Sequence, residues 1–118
     1  MALFKDKLAD ITSTESVIAE DCVFTGNIST KGSIRIDGIV DGNISEAKDV
    51  FISKTGKING DISSEKCIIY GNVDGNIVVK DKIEIMASAT VEGNIISPKV
   101  LIEEGAFFNG NITMKKGE

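Results

Sequence analysis

The side chains of this sequence that could do chemistry are mainly acidic. Five carboxylates recur along the chain at related positions: Asp37, Asp41, Asp61, Asp74 and Glu92. If the fold stacks them into a column on one face, their oxygen atoms could attract a divalent cation, since hard cations prefer oxygen ligands. Carboxylates on a solvated face are far commoner than cation sites, so the spacing by itself assigns no metal ligand.

The absence of histidine bears on which enzymes the chain could resemble. β-Helical acyltransferases usually rely on a histidine general base, and β-helical carbonic anhydrases bind zinc through histidine, so both classes are disfavoured. A pectate-lyase-like cleft needs long loops, and the segments between the repeats described below are short. No glycine-rich loop carries the Lys-Ser/Thr pair of a phosphate-binding loop. We predict no catalytic residue, no metal, no nucleotide and no other cofactor, and an acyltransferase-like enzyme remains the weakest alternative.

A five-residue repeat must position all of these side chains. Each copy has an apolar residue, a variable residue, Gly, then Asn or Asp, then Ile. The copies are centred on Gly26, Gly42, Gly60, Gly75, Gly93 and Gly110. These glycines are 16, 18, 15, 18 and 17 residues apart. Self-similarity at a nearly fixed period indicates a solenoid.

Each repeat also contains a short apolar strand before its glycine. Six residues share an offset of eight from the glycine and are predicted to be equivalent: Ile18, Ile34, Ile52, Cys67, Ile85 and Ile102. Period-2 alternation then points apolar residues inward, and stacks Asn or Asp into an outer ladder. A period near 17 is too short for helix-pair or leucine-rich repeats and fits one turn of a parallel β-helix with three short faces. Six rungs about 4.8 Å apart give a rod roughly 29 Å long.

The predicted architecture is therefore all-β, a single-domain parallel β-helix of about six rungs. It covers residues 17–112, between an N-terminal tail of residues 1–16 and a C-terminal tail of residues 113–118. Polar corners separate successive rungs, and we expect the one- or two-residue changes in period to be absorbed there.

Charge and composition restrict the partners. A net charge of −5 argues against nucleic-acid binding through phosphate neutralisation. No apolar run approaches the roughly 18 residues that a membrane span needs, and the N-terminus lacks the apolar core of a signal peptide. Because Cys22 and Cys67 fall at different places in the repeat, we predict two buried thiols in a reducing cytoplasm and no disulfide.

The two ends of such a rod expose unpaired backbone groups and a slice of apolar core, which template further pairing unless they are capped. No capping helix is evident, and Phe107 and Phe108 lie in the last rung. They either plug the rod or stack on another subunit, and end-to-end stacking would give filaments. The residues predicted for the C-terminal interface are Leu101, Ile102, Phe107, Phe108 and Ile112, and those for the N-terminal interface are Val17, Ile18, Val23 and Phe24.

The recurrent Gly-Asn-Ile, together with Ile34-Arg35-Ile36-Asp37-Gly38 followed by Val40-Asp41-Gly42-Asn43-Ile44, resembles the bactofilin family over about residues 17–112. The resemblance implies a right-handed β-helix that polymerises end to end, without nucleotide, into non-polar filaments. It also implies a bacterial cytoskeletal scaffold on the inner face of the cytoplasmic membrane. Such a scaffold would support cell shape, the placement of cell-wall-modifying enzymes, or motility.

Many members of that family begin with a short membrane-targeting segment of apolar residues and lysine. The residues that match it here are Met1, Leu3, Phe4, Lys5 and Lys7, with Asp6 diluting the positive charge. The alternative for this segment is a disordered tail. The predicted partners are further copies of the chain, the membrane surface, and cell-wall-modifying enzymes or other membrane proteins. A monomeric or small-oligomer docking scaffold that binds a partner through one flat face is the alternative function.

Overall fold

The computed structural model describes residues 15–114, and their side chains from Ser16 onward. Every regular element in this part of the chain is a β-strand. The strands are β1 (Glu15–Ile18), β2 (Val23–Thr25), β3 (Ile28–Ser29), β4 (Ser33–Ile36), β5 (Ile39–Asp41), β6 (Ile44–Ile52), β7 (Lys57–Asn59), β8 (Ile62–Ile69), β9 (Asn72–Asp74), β10 (Ile77–Ile85), β11 (Thr90–Ser97), β12 (Val100–Ile102) and β13 (Phe107–Met114).

These strands form one thirteen-stranded sheet in which the recorded pairings are parallel. The sheet is coiled into a β-solenoid of six rungs with three faces. Face A contains β1, β4, the second halves of β6, β8 and β10, and β12. Face B contains β2, β5, β7, β9 and the first parts of β11 and β13. Face C contains β3, the first halves of β6, β8 and β10, and the last parts of β11 and β13. The predicted parallel solenoid is confirmed, while its right-handedness stays a prediction.

The core is a set of stacked aliphatic columns. On face C, one inward position is isoleucine in all six rungs: Ile28, Ile44, Ile62, Ile77, Ile95 and Ile112. The four inner members are at most 1% exposed. β-Branched side chains suit this stacking because they are stiff and pack well on a pleated surface. Burial of each contributes about 1.5–3 kcal/mol, so the columns are the main source of stability.

The strand register on face A corrects one sequence prediction. Ile36 pairs with both Ile18 and Ile52, and Ile69 pairs with both Ile52 and Ile85. The equivalence predicted for Ile34 and Cys67 is therefore wrong by two residues. The cause is the corner between faces A and B, which has four residues in rungs one, three, five and six but only two in rungs two and four. Most of the variation in period thus lies within the rungs rather than at the polar corners between them.

Glycine makes both kinds of corner possible. In the two-residue corner of rung two, a Cβ on Gly38 would lie 2.3 Å from the Ala19 carbonyl oxygen of the rung before it. At the corner between faces B and C, the repeated glycines all have positive φ, as at Gly42 with φ +156°. A side chain there would clash with the preceding rung, because a Cβ on Gly42 would meet the Gly26 carbonyl oxygen. The repeat glycine is therefore a packing requirement of stacked corners.

The two cysteines are both free, but only one is buried. Cys67 lies in the core at 1% exposure, and burial raises the pKa of its thiol to about 12. Cys22 is exposed, so the prediction of two buried thiols is wrong for it. Cys22 ends the four-residue corner of the first rung described by the structure, so no earlier described rung covers it. Ala89, which ends the corresponding corner of rung five, is 2% exposed.

Candidate assembly surfaces

The N-terminal end of the rod presents an open slice of the core. Ile18, Phe24 and Ile28 occupy inward positions, because they pair with the buried residues Ile36, Val40 and Ile44 of the second rung. In the described part of the chain no earlier rung covers them, and Phe24 remains 39% exposed. Together with Ser16 and Ile34 they line a shallow depression at this end.

The C-terminal end is open in the same way. Ile102, Phe108 and Ile112 pair with the buried residues Ile85, Val91 and Ile95 of rung five. Phe108 and Ile112 are half-buried against the core, and Ile102 is 43% exposed. Five predicted interface residues therefore lie at the two ends of the core: Ile18 and Phe24 at one end, and Ile102, Phe108 and Ile112 at the other. Ile28, which the sequence did not single out, lies with Ile18 and Phe24.

One inward column runs through both end surfaces. In chain order it consists of Phe24, Val40, Ile58, Val73, Val91 and Phe108. The four inner positions carry Val or Ile at no more than 2% exposure, and phenylalanine occupies only the two end rungs. A column of small β-branched residues is thus terminated at each end by a large aromatic ring whose outer side is open.

The other four predicted interface residues point to the sides of the rod. Val17 and Leu101 alternate with inward residues on face A, and Val23 and Phe107 do so on face B. Val17 is 57%, Val23 67%, Leu101 49% and Phe107 53% exposed. The neighbouring phenylalanines 107 and 108 therefore belong to different surfaces, one to a side and one to the end.

The backbone at both ends is also open. Within residues 15–114, the strands of the first rung pair only with the second rung, and β12 and β13 pair only with strands of the fifth. Each inner strand pairs on both sides. An open edge of parallel strands offers unpaired N–H and C=O groups to another chain.

The acidic side chains do not gather into one site. Asp41, Asp74 and Glu92 share a column on face B, but Asn59 interrupts it. Asp61 belongs to the Asn ladder described next. Asp37 lies at the corner after face A, where a hydrogen bond with Ser53 and then the adjacent Arg35 lower its pKa. Within residues 15–114 no group of three or more potential ligands could hold a metal ion.

The outer Asn ladder forms, and it has an internal structural role. The side-chain oxygen of each of the first four members accepts a hydrogen bond from the backbone N–H of the equivalent residue one rung later. The bonds are Asn43 N to Asn27 Oδ1 at 3.2 Å, Asp61 N to Asn43 Oδ1 at 2.8 Å, Asn76 N to Asp61 Oδ1 at 3.0 Å and Asn94 N to Asn76 Oδ1 at 3.2 Å. Asn and Asp both present a side-chain oxygen that can accept this hydrogen bond, which explains why the repeat allows either residue. The restriction of this position to Asn or Asp was the sequence feature that predicted the outer ladder.

The residues predicted to contact the membrane, Met1, Leu3, Phe4, Lys5 and Lys7, lie outside the described part of the chain. Within the described part there is no helix with the length and apolar character needed to cross a bilayer.

The comparisons with known proteins agree with this geometry. The family model described as "Bactofilin: Polymer-forming cytoskeletal" matches residues 16–113. The chain belongs to the bactofilin family. It is also similar to "Bactofilin BacN" of Myxococcus xanthus (strain DK1622), with 52% identity over 103 residues that cover 87% of this chain and 91% of that protein. The comparison with solved structures found no match.

Membership in this family makes the chain a polymer-forming cytoskeletal protein, as the sequence predicted. The family is structural rather than enzymatic. The remaining functional question is which surfaces hold the polymer together.

Proposed function

We propose that the protein is a scaffold whose six-rung rods, residues 17–112, stack end to end into nucleotide-independent, non-polar filaments. The observation that carries this proposal is the column that has phenylalanine at both ends and only Val or Ile inside. An aromatic ring left open at each end of a dry core costs free energy in water, and stacking on another subunit removes it from water.

The open backbone edges strengthen the same junction. Among the residues that the structure describes, the terminal rungs have unpaired edges on all three faces, so a docked subunit would add hydrogen bonds around the apolar contact. No nucleotide is required, because the junction consists of preformed apolar and backbone groups.

In a non-polar filament the two junctions differ: N-terminal ends meet each other, and C-terminal ends meet each other. Phe108→Arg then blocks only the second junction and should leave dimers joined through their N-terminal ends. Phe24→Arg should leave dimers joined through their C-terminal ends. A buried unpaired guanidinium is costly enough to break the junction it enters.

Electron microscopy without nucleotide, followed by light scattering of the variants after size-exclusion chromatography, tests this scheme. Phe107→Arg is the matched control, because its side chain lies on face B and its filaments should persist. Each single-end variant should be a dimer by itself. Monomers that form dimers only when the two variants are mixed would show a polar filament instead. Persistent filaments of Phe108→Arg would refute the end-to-end junction, and a wild-type protein found only as monomers would favour the docking scaffold.

We further propose that the filaments lie on the inner face of the cell membrane and there organise cell-wall-modifying enzymes or other membrane proteins. Support comes from the N-terminal sequence, in which Leu3 and Phe4 are followed by Lys5 and Lys7. One such segment binds a membrane weakly, but many copies on a filament add their affinities. Removal of residues 1–8 should abolish co-sedimentation with anionic liposomes while filaments persist, and unchanged co-sedimentation would refute the anchor.

A further inference from the structure

Face A has an outward surface along the side of the rod. Its central outward column is Val17, Arg35, Phe51, Ile68, Glu84 and Leu101, one residue from each rung. The next outward column contains Ser33, Asp49, Lys66 and Lys82 in rungs two to five. We call these two columns the face A surface.

The middle of this surface is apolar and aromatic. The Phe51 ring stacks on Tyr70, the chain's one tyrosine, with ring centroids 5.4 Å apart and an interplanar angle of 19°. The Arg35 guanidinium carbon lies over the same Phe51 ring, 5.3 Å from its centroid. Ile68 is half-buried beside them in rung four. An aromatic cluster at the centre with charges around it is the usual composition of an interface.

The charges follow a pattern with a specific symmetry. The central column has Arg35 in rung two and Glu84 in rung five, Phe51 and Ile68 in rungs three and four, and apolar residues in rungs one and six. A two-fold rotation about the strand direction, between rungs three and four, exchanges these rungs pairwise. Two copies related by it face each other antiparallel and place Arg35 opposite Glu84, Phe51 opposite Ile68, and Val17 opposite Leu101.

The adjacent column obeys the same symmetry. Asp49 in rung three falls opposite Lys66 in rung four, and Ser33 falls opposite Lys82. Parallel packing about the rod axis would instead place Arg35 opposite Arg35 and Glu84 opposite Glu84. Such like-charge contacts cost several kcal/mol, so charge complementarity selects the antiparallel arrangement.

The charged groups can make these contacts at little cost in stability, because the ion pairs that they already form within one copy are exposed and weak. Arg35 already pairs with Asp37 at 3.1 Å, and Lys82 pairs with Glu84 at 2.8 Å. The Arg35 and Lys82 side chains are 47% and 45% exposed, and exposed pairs of this kind contribute little to stability. They are therefore free to extend into a larger network across an interface.

We infer that face A binds face A of a second copy of this chain, antiparallel and two-fold symmetric, and so joins neighbouring filaments side by side. Strand geometry gives face A an area of about 300 Å² per copy, or about 600 Å² for a pair. A stable isolated dimer needs about 1,200 Å² or more, so a single pair of rods should not hold together. Contacts repeated along two filaments add up, and in this respect the inference rests on the proposed function.

Charge-reversal variants examined by electron microscopy test the pairing at low salt. Wild-type filaments should form side-by-side pairs, whereas Arg35→Glu filaments and Glu84→Arg filaments should stay single, because each places like charges opposite each other twice. Preformed filaments of the two variants, once mixed, should pair again, because both contacts then join opposite charges. Lys57→Glu and Glu92→Arg are the matched controls, since they make the same charge changes on face B, and both should pair like the wild type.

Salt concentration distinguishes the charged contacts between filaments from the apolar end-to-end junction within each filament. Raising the salt to 0.5 M should disperse the pairs into single filaments, because screening weakens exposed charge contacts but not the apolar junction. Wild-type filaments that never pair at low salt, variants that still pair, or mixtures that stay single would each overturn the inference while leaving the filament itself intact. A wild type without any filaments would instead refute the proposed function. Circular dichroism of each variant confirms that the rod is folded.

Discussion

The repeat glycines allow the stacked corners to be tested quantitatively. A Cβ on Gly75 would lie 2.0 Å from the Gly60 carbonyl oxygen and 2.6 Å from its carbonyl carbon. The residue also has φ +153°, which side-chain-bearing residues rarely adopt. Gly26 has the same kind of φ, at +133°, but belongs to the first rung. Among the described residues, a Cβ there would meet only the Phe24 ring, at 3.6 Å.

Gly26→Ala and Gly75→Ala therefore share the backbone strain and differ in the clash. The strain costs about 1–3 kcal/mol. In Gly75→Ala the two rungs must also separate by about 1 Å, which weakens the hydrogen bonds from Gly60 N to the Asp74 carbonyl oxygen at 3.0 Å and from Ile62 N to the Asn76 carbonyl oxygen at 2.9 Å. At about 0.5–1.5 kcal/mol each, with the Asn76-to-Asp61 bond also affected, the additional loss is about 2–3 kcal/mol.

Thermal unfolding followed by far-ultraviolet circular dichroism measures the difference. Each kcal/mol shifts the midpoint by about 4–8 °C in a domain of this size, so Gly75→Ala should melt at least about 8 °C below Gly26→Ala. The unfolding is measured at low protein concentration, so that assembly does not affect the midpoint. Equal midpoints for the two variants would refute the idea that rung stacking, rather than backbone conformation alone, requires glycine in the repeat.

Two further predictions concern the Asn ladder and the buried thiol. Asp61→Ala removes the acceptor for Asn76 N and should lower the free energy of unfolding by about 1 kcal/mol in denaturant titrations. Asp61→Asn keeps the acceptor and should be neutral; equal losses in both variants would show that the hydrogen bond is not the cause. For Cys67, the folded pKa of about 12 exceeds the ordinary value of 9.0, so the unfolded chain releases this proton first as the pH rises. Ionisation of this thiol should therefore leave the free energy of unfolding unchanged below about pH 9. Between about pH 9 and 12 it should lower the free energy of unfolding, by up to about 1.4 kcal/mol per pH unit. Cys67→Val, which matches the neighbouring Val50 of the same column, should lose less stability over that range, and parallel pH profiles for the two proteins would contradict the assignment.

The sequence predicted the fold because each rung repeats the same local requirements. Six glycines with positive φ, each followed by Asn or Asp and then Ile, indicate the same corner six times, and alternation then fixes which side chains enter the core. It did not predict the register on face A. The two-residue corners at Gly38 and Gly71 look like any short turn in the sequence, and only the carbonyl groups of the adjacent rung show why glycine is needed there.

The interface residues, too, were only partly predictable from the sequence. The alternation of inward and outward residues shows that Phe108 and Phe107 point in opposite directions. Choosing interface residues because they are apolar and near an end, however, selects residues of the end surface together with residues on the sides of the rod. Similarly, the exposure of Cys22 follows from its place in a rung with no rung before it, which is a property of the stack rather than of the segment.

The sequence by itself determined the solenoid, its six rungs, the composition of its core and its family, since all of these follow from a period that short-range rules can detect. Only the tertiary structure decided which residues share a surface. Arg35 and Glu84 are 49 residues apart in the chain, and their symmetric placement about Phe51 and Ile68 depends on a register that is set by corner lengths. The number of residues in each corner sets which residues of neighbouring rungs lie side by side. Because the repeat tolerates corners of either two or four residues, the corner length is decided by packing against the adjacent rung.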